Sequence, residues 1–196
     1  MKLGKLLVLT MIAALVTAVA PLPALAAPAA QSTSLISNGG FEQGFGSEVG
    51  TGWAKWWTET AKPGDGSMNY AFLPKWNVES LYGGAAAATI YAGSNSQRIV
   101  NSWDPWYAGV KQTVTAPVGA RVRLTAYARL WASNDNWPAP SDPSSAGKVQ
   151  VGIEPNGTDN QFAATVVWSG ATTPHGAFQP VSVEATVGAS GKVTVI

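Results

Sequence analysis

An all-β fold, built as two antiparallel sheets packed into a sandwich, is what this sequence predicts. Apolar and polar residues alternate at period two in several short runs, and Gly-, Pro- and Asn-rich stretches separate them. No segment sustains the 3.6-residue periodicity of an amphipathic helix. About eight such runs suit a sandwich, because one polar and one apolar face per strand is the mark of antiparallel sheets with one solvated side.

Taken in order, residues 85–88 are four alanines, which Gly83-Gly84 before them and the β-branched Thr89 and Ile90 after them favour as a small-residue strand. Residues 110–114 alternate, and residues 116–120, with Pro117 and Gly119, suit a tight hairpin into the next run. That run, residues 121–131, is the clearest strand. Val122, Leu124, Ala126, Ala128 and Leu130 share one face, while Arg121, Arg123, Thr125, Tyr127, Arg129 and Trp131 share the other. Val149, Val151 and Ile153 alternate with polar neighbours, as do Val181, Val183, Ala185 and Val187. Residues 191–196 have a strand's alternation and stop in mid-strand, so the sequence reads as truncated with its last strand incomplete. Residues 44–74 and 133–147 read as long loops, the usual place for binding on a β-scaffold.

Composition removes several classes of function. The chain of 196 residues carries 12 Lys+Arg against 11 Asp+Glu, with no basic run, so it lacks the electrostatic footprint of a nucleic-acid binder. With no Cys and one His, thiolate chemistry, disulfides and multi-His metal sites are excluded. The charged fraction is 12%, about half of the roughly 25% usual, so the surface is neutral and polar. Lys2 and Lys5, an apolar run over residues 6–20, and Ala24-Leu25-Ala26 predict a signal peptide over residues 1–26 and hence a secreted, extracellular protein with no membrane segment after cleavage. A linker over residues 27–34 then leads into a single domain, residues 35–196.

The stretch from Leu35 to Glu42 (Leu-Ile-Ser-Asn-Gly-Gly-Phe-Glu), Gly52-Trp53, and the run from Gly109 to Val114 followed by Pro117, Gly119, Leu124, Ala126 and Ala128 resemble galactose-binding-domain-like jelly rolls. The nearest likeness is to carbohydrate-binding modules of the family-four and family-twenty-two kind. The chain is also similar to exported bacterial proteins of unassigned role that share Trp56-Trp57-Thr58, residues 153–158 and residues 166–169. The resemblance implies a jelly-roll sandwich, carbohydrate binding, and a structural calcium held by Glu42 with Asn38 in the expected position. It also implies an Asp in a closing strand, which this sequence does not contain. A hard cation requires several oxygen ligands, so one carboxylate alone makes a weak site.

Nine Trp are more than a small sandwich core accommodates, so part of them is expected at the surface. Sugar rings pack C–H faces on flat aromatics, and their hydroxyls need hydrogen bonds from amides, carboxylates and Arg. Two segments supply both: residues 101–107 and residues 131–137. The expected ligand residues are Trp103, Trp106, Tyr107, Trp131 and Trp137 for stacking, and Arg129, Asn134 and Asp135 for hydrogen bonding, with a neutral polysaccharide or cell-surface glycan as ligand. Trp53 and Trp168 read as core residues. An exported structural or adhesive protein that uses the same aromatics against another protein is the alternative. A jelly-roll glycoside hydrolase using Glu154 and Glu184 is the second alternative, and His175 reads as a solvated turn residue.

Overall fold

The structure, a computed structural model, describes residues 34–60, 73–102 and 105–196. The expected signal peptide, most of the linker, and Trp103 lie outside the described residues. Among the described residues there are eleven strands: β1 (Phe45–Gly46), β2 (Val49–Gly50), β3 (Ala54–Trp57), β4 (Lys75–Ser80), β5 (Asn95–Val100), β6 (Ala108–Thr115), β7 (Arg121–Ala128), β8 (Gly152–Glu154), β9 (Val167–Trp168), β10 (Gln179–Thr186) and β11 (Lys192–Val195). Among the described residues no helix is long and apolar enough to cross a membrane.

The fold is an all-β sandwich, as the alternation predicts. One layer is a five-stranded antiparallel sheet in the order β3-β6-β11-β8-β9, and β7 pairs with β10 in a second sheet. Between them lies one apolar core: Leu124 of β7, Val181, Val183 and Ala185 of β10, Ile153 of β8, and Val193 and Val195 of β11, with Val122, Ala126 and Ala128 packed against it. Each fully buried Val or Leu contributes about 1.5–3 kcal/mol, so the period-two pattern of β7 and β10 fixes which face turns inward. A separate hairpin, β4 with β5, docks through Trp76, whose Nε1 donates to the Gly109 carbonyl at 3.1 Å.

Three local expectations are corrected. Residues 85–88 form no strand; a 3-10 turn, Leu81–Gly83, precedes them and a second, Ala87–Thr89, takes up the last two, since alanine has no β-branched surface to pair across a ladder. The 116–120 turn is no hairpin, because β6 and β7 belong to different sheets. Its Gly119 takes φ 77°. The turn then bonds to the other crossover, Gly119 N–H donating to Val187 O at 2.9 Å and Val187 N–H to Ala120 O at 2.9 Å. Residues 44–57, expected as loop, contain β1, β2 and β3. The final strand, β11, lies in mid-sheet with β6 on one side and β8 on the other.

The N-terminal stretch is stitched on by side-chain amides. Gln112 accepts from Ser37 N at 2.8 Å and donates to Ser37 O and Gly52 O, and Gln97 accepts from Gly50 N at 3.1 Å. Trp53 is structural as expected, its Nε1 donating to Asn38 O at 3.1 Å and its ring packed on Phe41.

Candidate functional site

The outward face of β7 carries Arg121, Arg123, Thr125, Tyr127 and then Arg129, because side chains alternate along a strand. Opposite them on β10 stand Thr186, Glu184, Ser182 and Pro180. Segment 87–91 crosses the Tyr127 end of this face. Tyr91 stacks on Tyr127 with centroids 3.9 Å apart and planes 12° from parallel, and Phe178 closes against Tyr91 at 5.7 Å. Both tyrosines remain about half exposed, at 51% and 47%. Hydrogen bonding to Tyr127, with desolvation, raises the Tyr91 phenol above its ordinary value.

Arg129 continues the strip. Its Nη1 donates to the Ala88 carbonyl, and its guanidinium lies over the Trp137 ring, 5.1 Å from the centroid. Trp131 meets Trp137 edge to face at 5.9 Å and donates its Nε1–H to Ala139 O at 2.9 Å. Three expected ligand residues, Arg129, Trp131 and Trp137, are therefore brought together, and Trp137 is 42% exposed. Asn134 and Asp135 are exposed on the same loop, which contains no strand, as its Asn, Asp, Pro and Ser content predicts.

The other expected loop lies elsewhere. Tyr107, just before β6, packs edge to face on Trp56 at 5.0 Å and against Phe162 at 6.0 Å, and burial raises its phenol pKa. Residues 155–166 strap this side of the five-stranded sheet, with Phe162 against Trp56 and the buried Lys111 ammonium donating to the Asp159 main-chain carbonyl and to Gln161 Oε1 at 3.0 Å each and pairing with the exposed Asp159 carboxylate at 2.8 Å. Trp106 is exposed beside this cluster, and no ring contact joins it or Tyr107 to the Arg129 strip among the described residues.

The carboxylates serve the framework. Glu154 is 0% exposed and accepts from Asn156 N, Asn156 Nδ2, Thr158 N and Thr165 Oγ1, at 3.1, 3.2, 2.6 and 2.7 Å. Burial raises its pKa, but those four donors outweigh it and hold the group below its ordinary value. Glu154 thus departs from the solvated strand face its position suggests. Glu184 lies on the other sheet, gripped by Arg121 and Arg123, which hold its pKa down as well. The two carboxylates thus lie on different sheets, each occupied by its own donors.

Asn38 and Glu42 are also engaged. Asn38 Oδ1 accepts from Gln43 N at 2.9 Å while its Nδ2 donates to Thr51 O at 3.0 Å. Glu42 accepts from Ser94 N, Asn95 N and Asn95 Nδ2, all at 2.9 Å, which lowers its pKa. Both its oxygens face N–H donors, whereas calcium demands converging oxygens, and among the described residues no group of three His, Asp or Glu gathers. These residues do not fit a calcium ion as they stand. Thermal unfolding with calcium and with a chelator is therefore expected to give the same midpoint; a rise of several degrees with calcium would restore the metal.

His175 is a correction: it is half-buried, its Nδ1 lies 2.8 Å from Ser141 Oγ, and its Nε2 is buried without a partner. Through Leu130, bridged to His175, and Ser141, which accepts from Ala132 N at 2.9 Å, it anchors the base of the Trp137 loop. Sequence reasoning missed Tyr91 and Phe178. Tyr127 was legible, since it shares the outward parity of Arg129 and Trp131. A shallow cavity of about 340 Å³ at the β4–β5 tip, lined by residues including Val78, Glu79 and Ser80, shares no residue with the strip.

No protein-family model matches the chain, and a search of curated proteins finds no match.

Proposed function

We propose that this is an exported, non-catalytic sandwich that binds polysaccharide along the aromatic strip of β7, with Tyr91, Tyr127, Trp131 and Trp137 as stacking surfaces. The observation that carries the reading is the half-exposed Tyr91–Tyr127 pair in line with the Arg129–Trp137 stack on one sheet face. Flat rings held rigid by their neighbours lose little entropy when a sugar ring settles on them, and amide, hydroxyl and guanidinium donors beside them suit sugar hydroxyls. Asn134 and Asp135 on the loop supply further hydrogen-bonding groups. The jelly-roll resemblance to carbohydrate-binding modules and the leader-type residues 1–26 support the same reading. In it, Tyr107 belongs to the packing under the 155–166 strap, and neither it nor the exposed Trp106 takes part in the strip.

Retention of the protein on a panel of soluble and insoluble polysaccharides tests the proposal, with reducing-sugar release measured alongside. Retention without sugar release is expected. Trp137→Ala and Tyr127→Ala are each expected to weaken binding by about 1–3 kcal/mol, the scale of base–aromatic stacking, with unchanged unfolding midpoints. Wild-type retention by both variants would sink the strip, and sugar release would sink the non-catalytic reading.

A further inference from the structure

Resting on the glycan-binding reading above, we propose that the polymer taken by this strip is anionic, with carboxylates on its repeating units, in place of the neutral polymer that the low overall charge suggests. The outward face of β7 and β10, continued by Arg129 just past the end of β7, holds three arginines, Arg121, Arg123 and Arg129, against one carboxylate, Glu184. Arg121 and Arg123 share that carboxylate while their side chains stay 78% and 69% exposed, so the trio keeps a net positive charge and free N–H donors.

Arg129 carries the argument furthest. Among the described residues no carboxylate lies within ion-pair distance of it; its polar partner is the neutral Ala88 carbonyl, and its other contact is the face of Trp137. The guanidinium is thus oriented, half-buried and uncompensated. A fixed guanidinium fork matches a carboxylate better than it matches a hydroxyl, because charge-assisted bonds are shorter and roughly twice as strong.

The opposing charges are few. Asp135 is exposed on the loop, and Asp142, exposed as well, accepts from its own neighbour, Ser144 N at 2.8 Å and Ser144 Oγ at 2.7 Å. Arg129 lies six positions beyond Arg123, roughly 20 Å along a strand, with the tyrosine pair between them. Cations at both ends of an aromatic platform suit a polymer with recurring charge, whose ring faces stack between its anchored carboxylates.

The test is affinity electrophoresis of the protein through gels containing soluble polygalacturonate or alginate, compared with the same polymers after chemical reduction of their carboxyl groups, across a salt series. Retardation by the acidic polymers, lost on carboxyl reduction and at high salt, is expected. Arg129→Gln is expected to weaken it about tenfold, and the double substitution Arg121→Gln with Arg123→Gln, on more exposed side chains, to weaken it too. Equal binding of the acidic and reduced polymers, or binding of neutral polymers alone, would overturn this inference and leave the glycan reading intact. Uronate binding undiminished in both the Arg129 variant and the double variant would overturn it as well, by moving the charge readout off this strip. Binding to no polymer would overturn the glycan reading, and this inference with it.

Discussion

Replacing Glu154 by alanine is expected to lower the unfolding free energy by about 3 kcal/mol and to release residues 155–166 from the five-stranded sheet. The reason lies in the four donors that converge on this one fully buried carboxylate, from Asn156, Thr158 and Thr165. Deleting the acceptor leaves several donors unpaired together, and an orphaned buried polar group costs about 1–3 kcal/mol. Denaturant titration measures the loss, and faster hydrogen exchange at Thr158 N–H locates it; a variant within about 0.5 kcal/mol of wild type would show that the strap is held by Phe162 and Lys111 instead. The same group sets an acid limit. Its folded pKa lies below the ordinary 4.5, so its stabilisation is complete above that value and is lost as pH falls through the folded value. Glu42 and Glu184 are shifted the same way, so stability is expected to be flat from neutrality down to about pH 5 and to fall below 4.5. Glu154→Gln is expected to start lower and to flatten part of that fall.

Trp76→Ala should cost about 3–5 kcal/mol, the range for emptying a large aromatic site in a core. Trp76 is 2% exposed, meets Trp57 edge to face at 6.0 Å, lies under the Lys55 ammonium, and bonds to Gly109 O. It is the pin between the β4–β5 hairpin and the large sheet, and a two-stranded hairpin is marginal by itself. Amide exchange in residues 75–80 and 95–100 is therefore expected to rise more than in β7 or β10. Uniform acceleration everywhere would mean that the hairpin and the sandwich unfold as one unit.

Much of the fold was legible because burial on one face imposes period two, and a one-residue slip of β7 or β10 would turn Leu124 and Val183 out to solvent. Partner choice was less legible. The turn at Pro117 and Gly119 has the composition of a hairpin, yet composition does not say whether the next strand joins the same sheet or the opposite one. The alanines at 85–88 carry no side-chain signal at all. In the site, Tyr127, Arg129 and Trp131 could be grouped by parity within one strand, whereas Tyr91 and Phe178 reach them through chain crossings that no local pattern encodes. Glu154 was misread for the same reason: its own strand is polar on that side, and the burial comes from a strap folded over it.

The position of β11 bears on how the chain acquires its structure. β6 and β8 do not touch through a ladder; each bonds to β11, and the Thr113–Thr194 hydroxyl pair at 2.8 Å spans 81 positions of sequence. A sheet whose middle strand follows all of its sheet-mates in chain order cannot zip up from either edge, and such non-local pairing folds slowly. The ribosome must therefore deliver β11 before the large sheet can close. Until then β6 and β8 carry open edges, a state that calls for protection from edge-to-edge association in the meantime.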